Sequence, residues 1–178
     1  MRRTRRTIVL DTSAFIAGFD PSSTGDDFYS VSGVKEELSQ ESLPKLRFEA
    51  AAEKGNLKIL EPEPAFLKSV RKASADIGDL KFLSDVDFKI VALALQLKHN
   101  NCEPTIITDD YSIQNVAKSL KIDFTSLTTY GIRLHLTWQI YCPACRKKYP
   151  SNYNSEQCQI CGTILKRKPI KKRSIKTT

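Results

Sequence analysis

Acidic side chains follow short apolar segments of this sequence, at positions that suit metal ligation. Asp11 follows the apolar run Ile8–Leu10, and the pair Asp109 and Asp110 follows a second apolar segment at 103–108. Ligands of an open parallel sheet bind just outside the carboxyl ends of its strands, so an acid there is well placed to hold a cation. The alternative for Asp11 is helix capping alone, because Asp is a preferred N-cap residue.

Two further acids lie near predicted helix starts. Glu37 stands close to the start of a helix predicted from Val34, with Glu36 as its rival, and Asp87 lies in the first turn of a helix capped by Ser84. The alternative is that these acids are solvated and favoured by the helix dipole. Strand ends and the helix starts that follow them share one edge of a parallel sheet, so we expect four segments to bring carboxylates together.

Carboxylates crowded at one edge indicate a particular chemistry. They cannot all ionise unless a cation neutralises them, and Mg²⁺ and Mn²⁺ prefer such oxygen ligands. These ions activate a bound water and stabilise an in-line displacement at phosphorus. The two histidines lie outside these motifs, and the sequence shows neither a Ser/His/Asp pattern nor a glycine-rich phosphate loop. Metal-assisted phosphodiester hydrolysis is the chemistry that remains.

Four of the five cysteines form two Cys-x-x-Cys pairs, with twelve residues between the pairs. Thiolates at this spacing are typical of a tetrahedral structural zinc site, and the alternative is a redox or disulfide role. A segment of this size buries almost no core, so we expect the metal to hold its fold. The predicted zinc ligands are Cys142, Cys145, Cys158 and Cys161.

The net charge of +8 is unevenly distributed, since eleven basic residues lie within 1–6 and 166–178 and leave the segment between them acidic. Basic termini are typical of nucleic-acid binding, with disordered solubilising ends as the alternative. No apolar run is long enough to cross a membrane, and the run after the basic N-terminus is too short for a secretory signal. We therefore expect a soluble cytoplasmic protein with no membrane partner.

The elements that must position these residues alternate between strand and helix. We predict strands at 8–10, 28–32, 57–60, 103–108 and 121–125, and helices at 34–38, 43–55, 65–77, 84–97 and 111–120. Gly78 is a plausible C-cap of the helix that ends before it. This alternation predicts an α/β fold with a parallel sheet covered by helices on both sides. Residues 130–141 alternate apolar and polar, which predicts a strand or an extended arm between this domain and the cysteines.

The four acidic segments, read together, resemble the motifs of a PIN-domain nuclease. The segments are Leu10-Asp-Thr-Ser, Val34-x-x-Glu-Leu38, Leu83-Ser-x-x-Asp-x-x-Ile-Val-Ala-Leu-Ala and Thr108-Asp-Asp-Tyr-Ser-Ile-Gln-Asn-Val-Ala117. The resemblance implies a PIN fold over 7–127 and metal-dependent endoribonuclease activity. The implied Mn²⁺ or Mg²⁺ ligands are Asp11, Glu37, Asp87 and one or both of Asp109 and Asp110. A Thr-x-Asp pattern selects Asp110, but the doublet keeps both open. The implied supporting hydroxyls are those of Thr12, Ser13 and Thr108.

A PIN-like domain, four cysteines and a basic tail, in this order, resemble the NIN-one-binding family of endonucleases over about residues 7–168. The resemblance implies cleavage that produces the mature 3′ end of small-subunit ribosomal RNA. The implied partners are the precursor rRNA, the pre-ribosomal particle and assembly-factor proteins. The absence of a long insertion favours an archaeal origin.

The alternatives are a toxin-type PIN ribonuclease and a non-catalytic RNA-binding assembly factor. The appended cysteine segment argues against the first, and the four filled acidic motifs argue against the second. The resulting organisation is a basic arm at 1–6, a PIN-like domain at 7–127, a connecting strand at 128–140, a zinc ribbon at 141–165 and a basic tail at 166–178. The candidate RNA-binding residues are Arg146, Lys147, Lys148, Lys166, Arg167 and Lys168.

Overall fold

A five-stranded parallel sheet organises the first two thirds of the chain. The computed structural model describes residues 5–127, 134–150, 153 and 155–174. The strand order is β3-β2-β1-β4-β5, so the first strand lies in the middle of the sheet. The predicted α/β fold is therefore confirmed. The strands are β1 (Thr7–Leu10), β2 (Asp27–Ser30), β3 (Leu57–Ile59), β4 (Pro104–Ile107) and β5 (Asp123–Thr125).

Six α-helices accompany the sheet in the described part of the chain. They are α1 (Thr12–Ile16), α2 (Ser32–Glu37), α3 (Leu43–Glu53), α4 (Pro64–Ile77), α5 (Asp85–His99) and α6 (Tyr111–Ser119), and short 3-10 turns add Pro21–Ser23 and Leu80–Phe82. The middle of α5 is fully buried from Ile90 to Ala94, as its apolar circumference predicts.

The predicted helix boundaries at Gly78 and Ser84 are confirmed. Gly78 ends α4 in the left-handed region at φ 85°, where glycine has no Cβ to clash. The Ser84 hydroxyl accepts from the backbone N–H of Asp87, and the Asp87 carboxylate accepts from the Ser84 N–H, which together form a capping box at the start of α5.

The start of α2 differs from the prediction and changes the position of Glu37. The helix begins at Ser32, two residues before Val34, so Glu37 is its last residue and does not lie in its first turn. The reason is a cap from elsewhere in the chain. The Glu61 carboxylate accepts from both the N–H (2.9 Å) and the hydroxyl (2.7 Å) of Ser32, which stabilises the exposed donors of the helix start.

A second, antiparallel sheet contains the chain on either side of the cysteines. Its strands are β6 (Leu134–Tyr141), β7 (Lys148–Tyr149) and β8 (Lys166–Ser174), in the order β7-β6-β8. The predicted connecting strand and the first nine residues of the predicted tail thus pair with each other, and residues 130–133 of the predicted arm lie outside the described residues. The described helices include none long and apolar enough to span a bilayer.

Candidate metal centre

Asp11 lies at the centre of the sheet edge, between the end of β1 and the start of α1. Its side chain is 4% exposed and caps α1. The same carboxylate oxygen accepts from the hydroxyls of Ser13 (2.9 Å) and Thr108 (2.8 Å). Burial raises the pKa of Asp11, although these hydrogen bonds oppose the shift. The sequence offered helix capping and metal ligation as alternatives for Asp11. In the structure Asp11 caps α1 and also lies near another predicted metal ligand, Asp87.

Glu37 connects three helices at this edge. Its carboxylate accepts a hydrogen bond from the Thr12 hydroxyl at the start of α1, and its other oxygen lies 3.5 Å from the hydroxyl of Ser84. Both hydroxyls belong to residues beside predicted metal ligands. The structure therefore brings exposed Glu37 next to the starts of α1 and α5 from the end of α2, whereas the sequence predicted it near the start of its own helix.

Asp87 approaches the cluster from the first turn of α5. Its carboxylate accepts from the Ser84 N–H at 2.7 Å, as part of the capping box. Burial is the largest effect on this group, and together with the negative charges of Asp11 and Asp110 it raises the pKa of Asp87 to about 6. Asp11 and Asp110 therefore lie close enough to Asp87 for their charges to disfavour its ionisation.

The two acids after β4 have different surroundings. Asp110 caps α6 by accepting from the Ser112 N–H at 2.6 Å, and its charge acts on Asp87. The Asp109 carboxylate instead accepts from the hydroxyl of Ser126, just beyond β5. The doublet thus divides: Asp110 shares the electrostatic environment of the cluster, and Asp109 is held toward the edge strand of the sheet.

The three predicted supporting hydroxyls each join two of the acidic segments. Thr12 donates to Glu37, and Ser13 accepts from the Asp109 N–H at 3.0 Å while it donates to Asp11. Thr108 accepts from the Asp110 N–H at 3.0 Å and donates to Asp11. Two contacts were missed. The N-cap pattern located Ser84 but not its approach to Glu37, and no sequence signal connected Ser126 with Asp109.

The donors at this edge are of the kind that a hard divalent cation prefers, although among the described residues no three of these carboxylates have oxygen atoms within 4.8 Å of one another. The donors are carboxylate oxygens from four segments, with hydroxyls but neither imidazole nor thiol among the described contacts. A bound cation would favour the ionised form of each acid and would reverse the upward pKa shifts of Asp11 and Asp87. Oxygen ligands of this kind select Mg²⁺ or Mn²⁺ over softer metals.

A second cluster consists of the four paired cysteines, whose sulfur atoms all lie within 4.8 Å of one another. The Cys142–Cys161 and Cys145–Cys158 sulfur distances are 3.4 and 3.5 Å. Both exceed a disulfide bond of about 2.05 Å and approach the roughly 3.8 Å edge of a tetrahedron with zinc–sulfur bonds of about 2.3 Å. This arrangement can hold a thiolate-bound metal.

Tyr149 supports the cysteine cluster from β7. Its hydroxyl lies 3.0 Å from the sulfur of Cys158, and it accepts from the Gln159 N–H at 3.2 Å. The hydrogen bond to Cys158 lowers the pKa of that thiol to about 6, which favours the thiolate that a metal requires. Sequence analysis did not identify Tyr149, since an aromatic residue near cysteines carries no distinctive signal.

The candidate RNA-binding residues fall into two groups. Arg167 alone among them is half-buried, and its guanidinium lies 2.5 Å from the carboxylate of buried Asp79. The others are exposed, as backbone-phosphate contacts require; they are Arg146, Lys147, Lys148, Lys166 and Lys168.

Comparison with known proteins agrees with the fold. A family model for the PIN domain of ribonuclease matches residues 8–97, and the chain belongs to this family of PIN-domain ribonucleases. Within it the chain is an endoribonuclease, similar along most of its length to proteins named endoribonuclease Nob1.

The similarity to individual relatives extends through the cysteine cluster. The chain is 42% identical over 160 residues to endoribonuclease Nob1 of Methanothermobacter thermautotrophicus, which covers 90% of this chain and 91% of the relative. It is 37% identical to endoribonuclease Nob1 of Methanocaldococcus jannaschii, over 93% of this chain and 79% of that protein. It is also 35% identical to ribonuclease VapC1 of Thermoplasma acidophilum, over 94% of this chain and 80% of that protein.

Proposed function

We propose that this endoribonuclease cleaves precursor ribosomal RNA to produce the mature 3′ end of the small-subunit rRNA. The observation that carries the proposal is a four-segment carboxylate edge joined to a four-cysteine module in one chain, together with near-full-length similarity to proteins named endoribonuclease Nob1. Under this proposal the partners are the precursor rRNA, the pre-ribosomal particle and its assembly factors, in the cytoplasm.

Under this proposal Asp11, Glu37, Asp87 and Asp110 hold Mn²⁺ or Mg²⁺. When bound, such an ion supplies an activated water and neutralises charge that develops on the scissile phosphate. Asp109 is the weaker candidate ligand, because its carboxylate is engaged with Ser126. Four separate segments contribute one side chain each, which supports a shared cation more than four independent helix caps.

The hydroxyls of the edge fix the acids in orientation. The hydroxyls of Thr108 and Ser13 both donate to the same oxygen of Asp11, which fixes the orientation of its carboxylate. Thr12 donates to one oxygen of Glu37 and Ser84 lies 3.5 Å from the other, so Glu37 is held between the starts of α1 and α5. Such support removes rotamer freedom from the ligands before the RNA arrives.

The four-cysteine module has a structural role in the proposal. Zn²⁺ on Cys142, Cys145, Cys158 and Cys161 would stabilise a segment whose buried cluster contains little beyond two of these cysteines and Tyr149. The exposed basic residues of the module and of β8 would contact RNA phosphates, which contribute affinity and register more than sequence specificity.

The test is cleavage of an RNA that spans the small-subunit 3′ processing site, with Mn²⁺ and with the ends mapped. Native protein should make a single cut that leaves a 5′-phosphate and a 3′-hydroxyl, and Asp11→Asn should abolish it. The carboxamide is matched in size and can still accept from Thr108, so the loss reports the charge. Absence of cutting with any divalent ion, even within the particle, would contradict the proposal.

A second candidate is a ribonuclease with a different RNA substrate, favoured by the similarity to ribonuclease VapC1. The same assay separates the two functions. Scattered cutting of the ribosomal RNA that still depends on Asp11 would favour the second candidate, whereas one dominant cut at the 3′ end favours the first.

A further inference from the structure

Arg167 points in a different direction from its two basic neighbours in β8. Lys166 and Lys168 are exposed, whereas Arg167 is half-buried, as alternation along a strand requires. Its guanidinium lies 2.5 Å from the Asp79 carboxylate and 3.3 Å from the ring centre of Phe82. Arg167 therefore crosses from the second sheet to the segment that follows α4 in the PIN domain.

Asp79 is built into the PIN domain as a fixed partner. It follows the C-cap Gly78 directly, its N–H donates to the Ser74 carbonyl at 2.9 Å, and its side chain is 2% exposed. One carboxylate oxygen accepts from the Asn115 amide of α6, and the other from Arg167. Loss of the guanidinium would leave a buried carboxylate without its countercharge, which is a strongly destabilising change.

The surroundings of the ion pair show why it matters for docking. Strand β6 contacts α4 and α6, so the second sheet rests on the PIN domain. Beside the ion pair, however, a cavity of about 360 Å³ separates the two, lined by Phe82 on one side and by Ile140 and Leu165 on the other. Apolar side chains do not fill this part of the interface. The orientation of the second sheet on the PIN domain therefore depends here on the contact between Arg167 and Asp79.

The ion pair is also connected to the acidic edge. Asn115 belongs to α6, the helix that Asp110 caps. The charge of Asp110 contributes to the raised pKa of Asp79, although burial is the larger cause. The ion pair and this proposed metal ligand therefore both contact α6, the ion pair through Asn115 and Asp110 as its N-cap.

We propose that Arg167 is a positioning residue, which docks the four-cysteine module on the PIN domain through its buried ion pair with Asp79. The docked module then sets the path of the RNA from its exposed basic residues to the carboxylate edge. The second statement rests on the proposed function, and the first does not.

The first test measures docking in the full chain without RNA or added divalent cations. Backbone ¹⁵N relaxation gives the rotational correlation time of the PIN domain and of residues 142–165 separately. In the native protein the two values should agree, and Arg167→Met should shorten the value for the four-cysteine module. Lys166→Met is the matched control, because it removes the same charge from the adjacent exposed position, and it should leave the two values equal. Equal values in Arg167→Met, or unequal values in the native protein, would overturn the proposal.

Two further variants keep the test decisive if Arg167→Met unfolds. Asp79→Asn combined with Arg167→Met removes both charges, so it should fold and still show independent motion of the module. Arg167→Lys keeps the charge but loses the planar contact with Phe82, and it should restore docking in part. A double variant that remains docked, or a lysine variant no better docked than methionine, would contradict the role assigned to the ion pair.

The second test uses the ribosomal RNA substrate. The native protein should cut this RNA at one dominant site, whereas the Arg167→Met variant should cut it weakly at several sites. The Mn²⁺ affinity of the variant should stay within the native range. An unchanged cut position and rate would refute the claim that docking sets the RNA path. Failure of the native protein to cut this RNA would instead count against the proposed function, and the relaxation result would stand independently.

Discussion

Replacement of Asp87 by asparagine should stabilise the protein when no divalent cation is bound. Burial together with the charges of Asp11 and Asp110 raises the pKa of Asp87 to about 6 from its ordinary 3.8. A carboxyl whose pKa is raised by folding destabilises the folded state wherever it is ionised. The free-energy cost of folding with Asp87 ionised is complete well above pH 6. It decreases as the pH falls from about 6 toward 3.8, and it is absent below 3.8, the pKa of the unfolded state.

The size of this effect follows from the shift. A difference between 3.8 and about 6 corresponds to at most roughly 3 kcal/mol. Asp87 is only half-buried, so solvent screening reduces the expected gain to on the order of 1–2 kcal/mol. Asparagine also gives up part of the favourable interaction with the helix dipole, about 0.3–1 kcal/mol. The carboxamide oxygen can still accept from the Ser84 N–H, so the capping box survives.

Asp85→Asn is the control for loss of a charge from the same first turn; Asp85 is exposed and pairs with Arg71 at 2.7 Å, so this variant should be slightly destabilised. The assay is urea unfolding between pH 4 and 8, in buffer without divalent cations and without chelators. At pH 7.5 Asp87→Asn should be more stable than the native protein, and the gain should disappear toward pH 4. Saturating Mn²⁺ should stabilise the native protein but not Asp87→Asn. Equal destabilisation by both variants at every pH would refute the reasoning.

Four other perturbations test separate parts of the site. Glu37→Gln should weaken Mn²⁺ binding in calorimetry, and Glu36→Gln, at the neighbouring and equally exposed position of α2, should not; equal losses would contradict the assignment. Asp110→Asn should weaken Mn²⁺ binding more than Asp109→Asn, whose carboxylate is engaged with Ser126; the reverse order would select Asp109. Zinc chelation should unfold residues 142–161 and leave the PIN core folded, which amide NMR spectra would show. Loss of both parts in one cooperative step would contradict this prediction. Gly33→Ala would place the added Cβ 2.7 Å from Val86 of α5, which should push α2 away from α5. The free energy of unfolding should fall by about 1–3 kcal/mol, and Mn²⁺ binding should weaken. Unchanged stability would show that the Val86 side chain moves aside without cost.

The sequence predicts most of the acidic edge because local signals and topology agree there. Asp11 and Asp110 follow buried strands and begin helices, and Ser84 with Asp87 forms a capping box that can be read from spacing alone. Parallel strands then place these residues on one side of the sheet. The chemistry of that edge could therefore be inferred without a structure.

What the sequence did not predict depends on contacts between distant segments. The cap that starts α2 comes from Glu61, 29 residues beyond Ser32, so the position of Glu37 within its helix could not be read locally. Asp79 and Arg167 are 88 residues apart in the sequence. Nothing in the basic sequence of β8 indicates which of its Lys and Arg side chains faces the PIN domain. The pairing of β6 with β8 is likewise non-local, so residues 166–174 were predicted as part of a basic tail and not as a strand.

The order of the sheet also bears on how such an enzyme is made. The central strand β1 is synthesised early but needs a neighbour on each side, and the second neighbour, β4, emerges only after about a hundred residues. The last acid of the edge, Asp110, follows β4 directly. A growing chain thus carries an incomplete set of acids for most of its translation, and a product that ends before Asp110 lacks the full set. If these acids hold the catalytic cation, as proposed, a chain that is still being synthesised lacks the means to cleave the RNA of the ribosome that makes it.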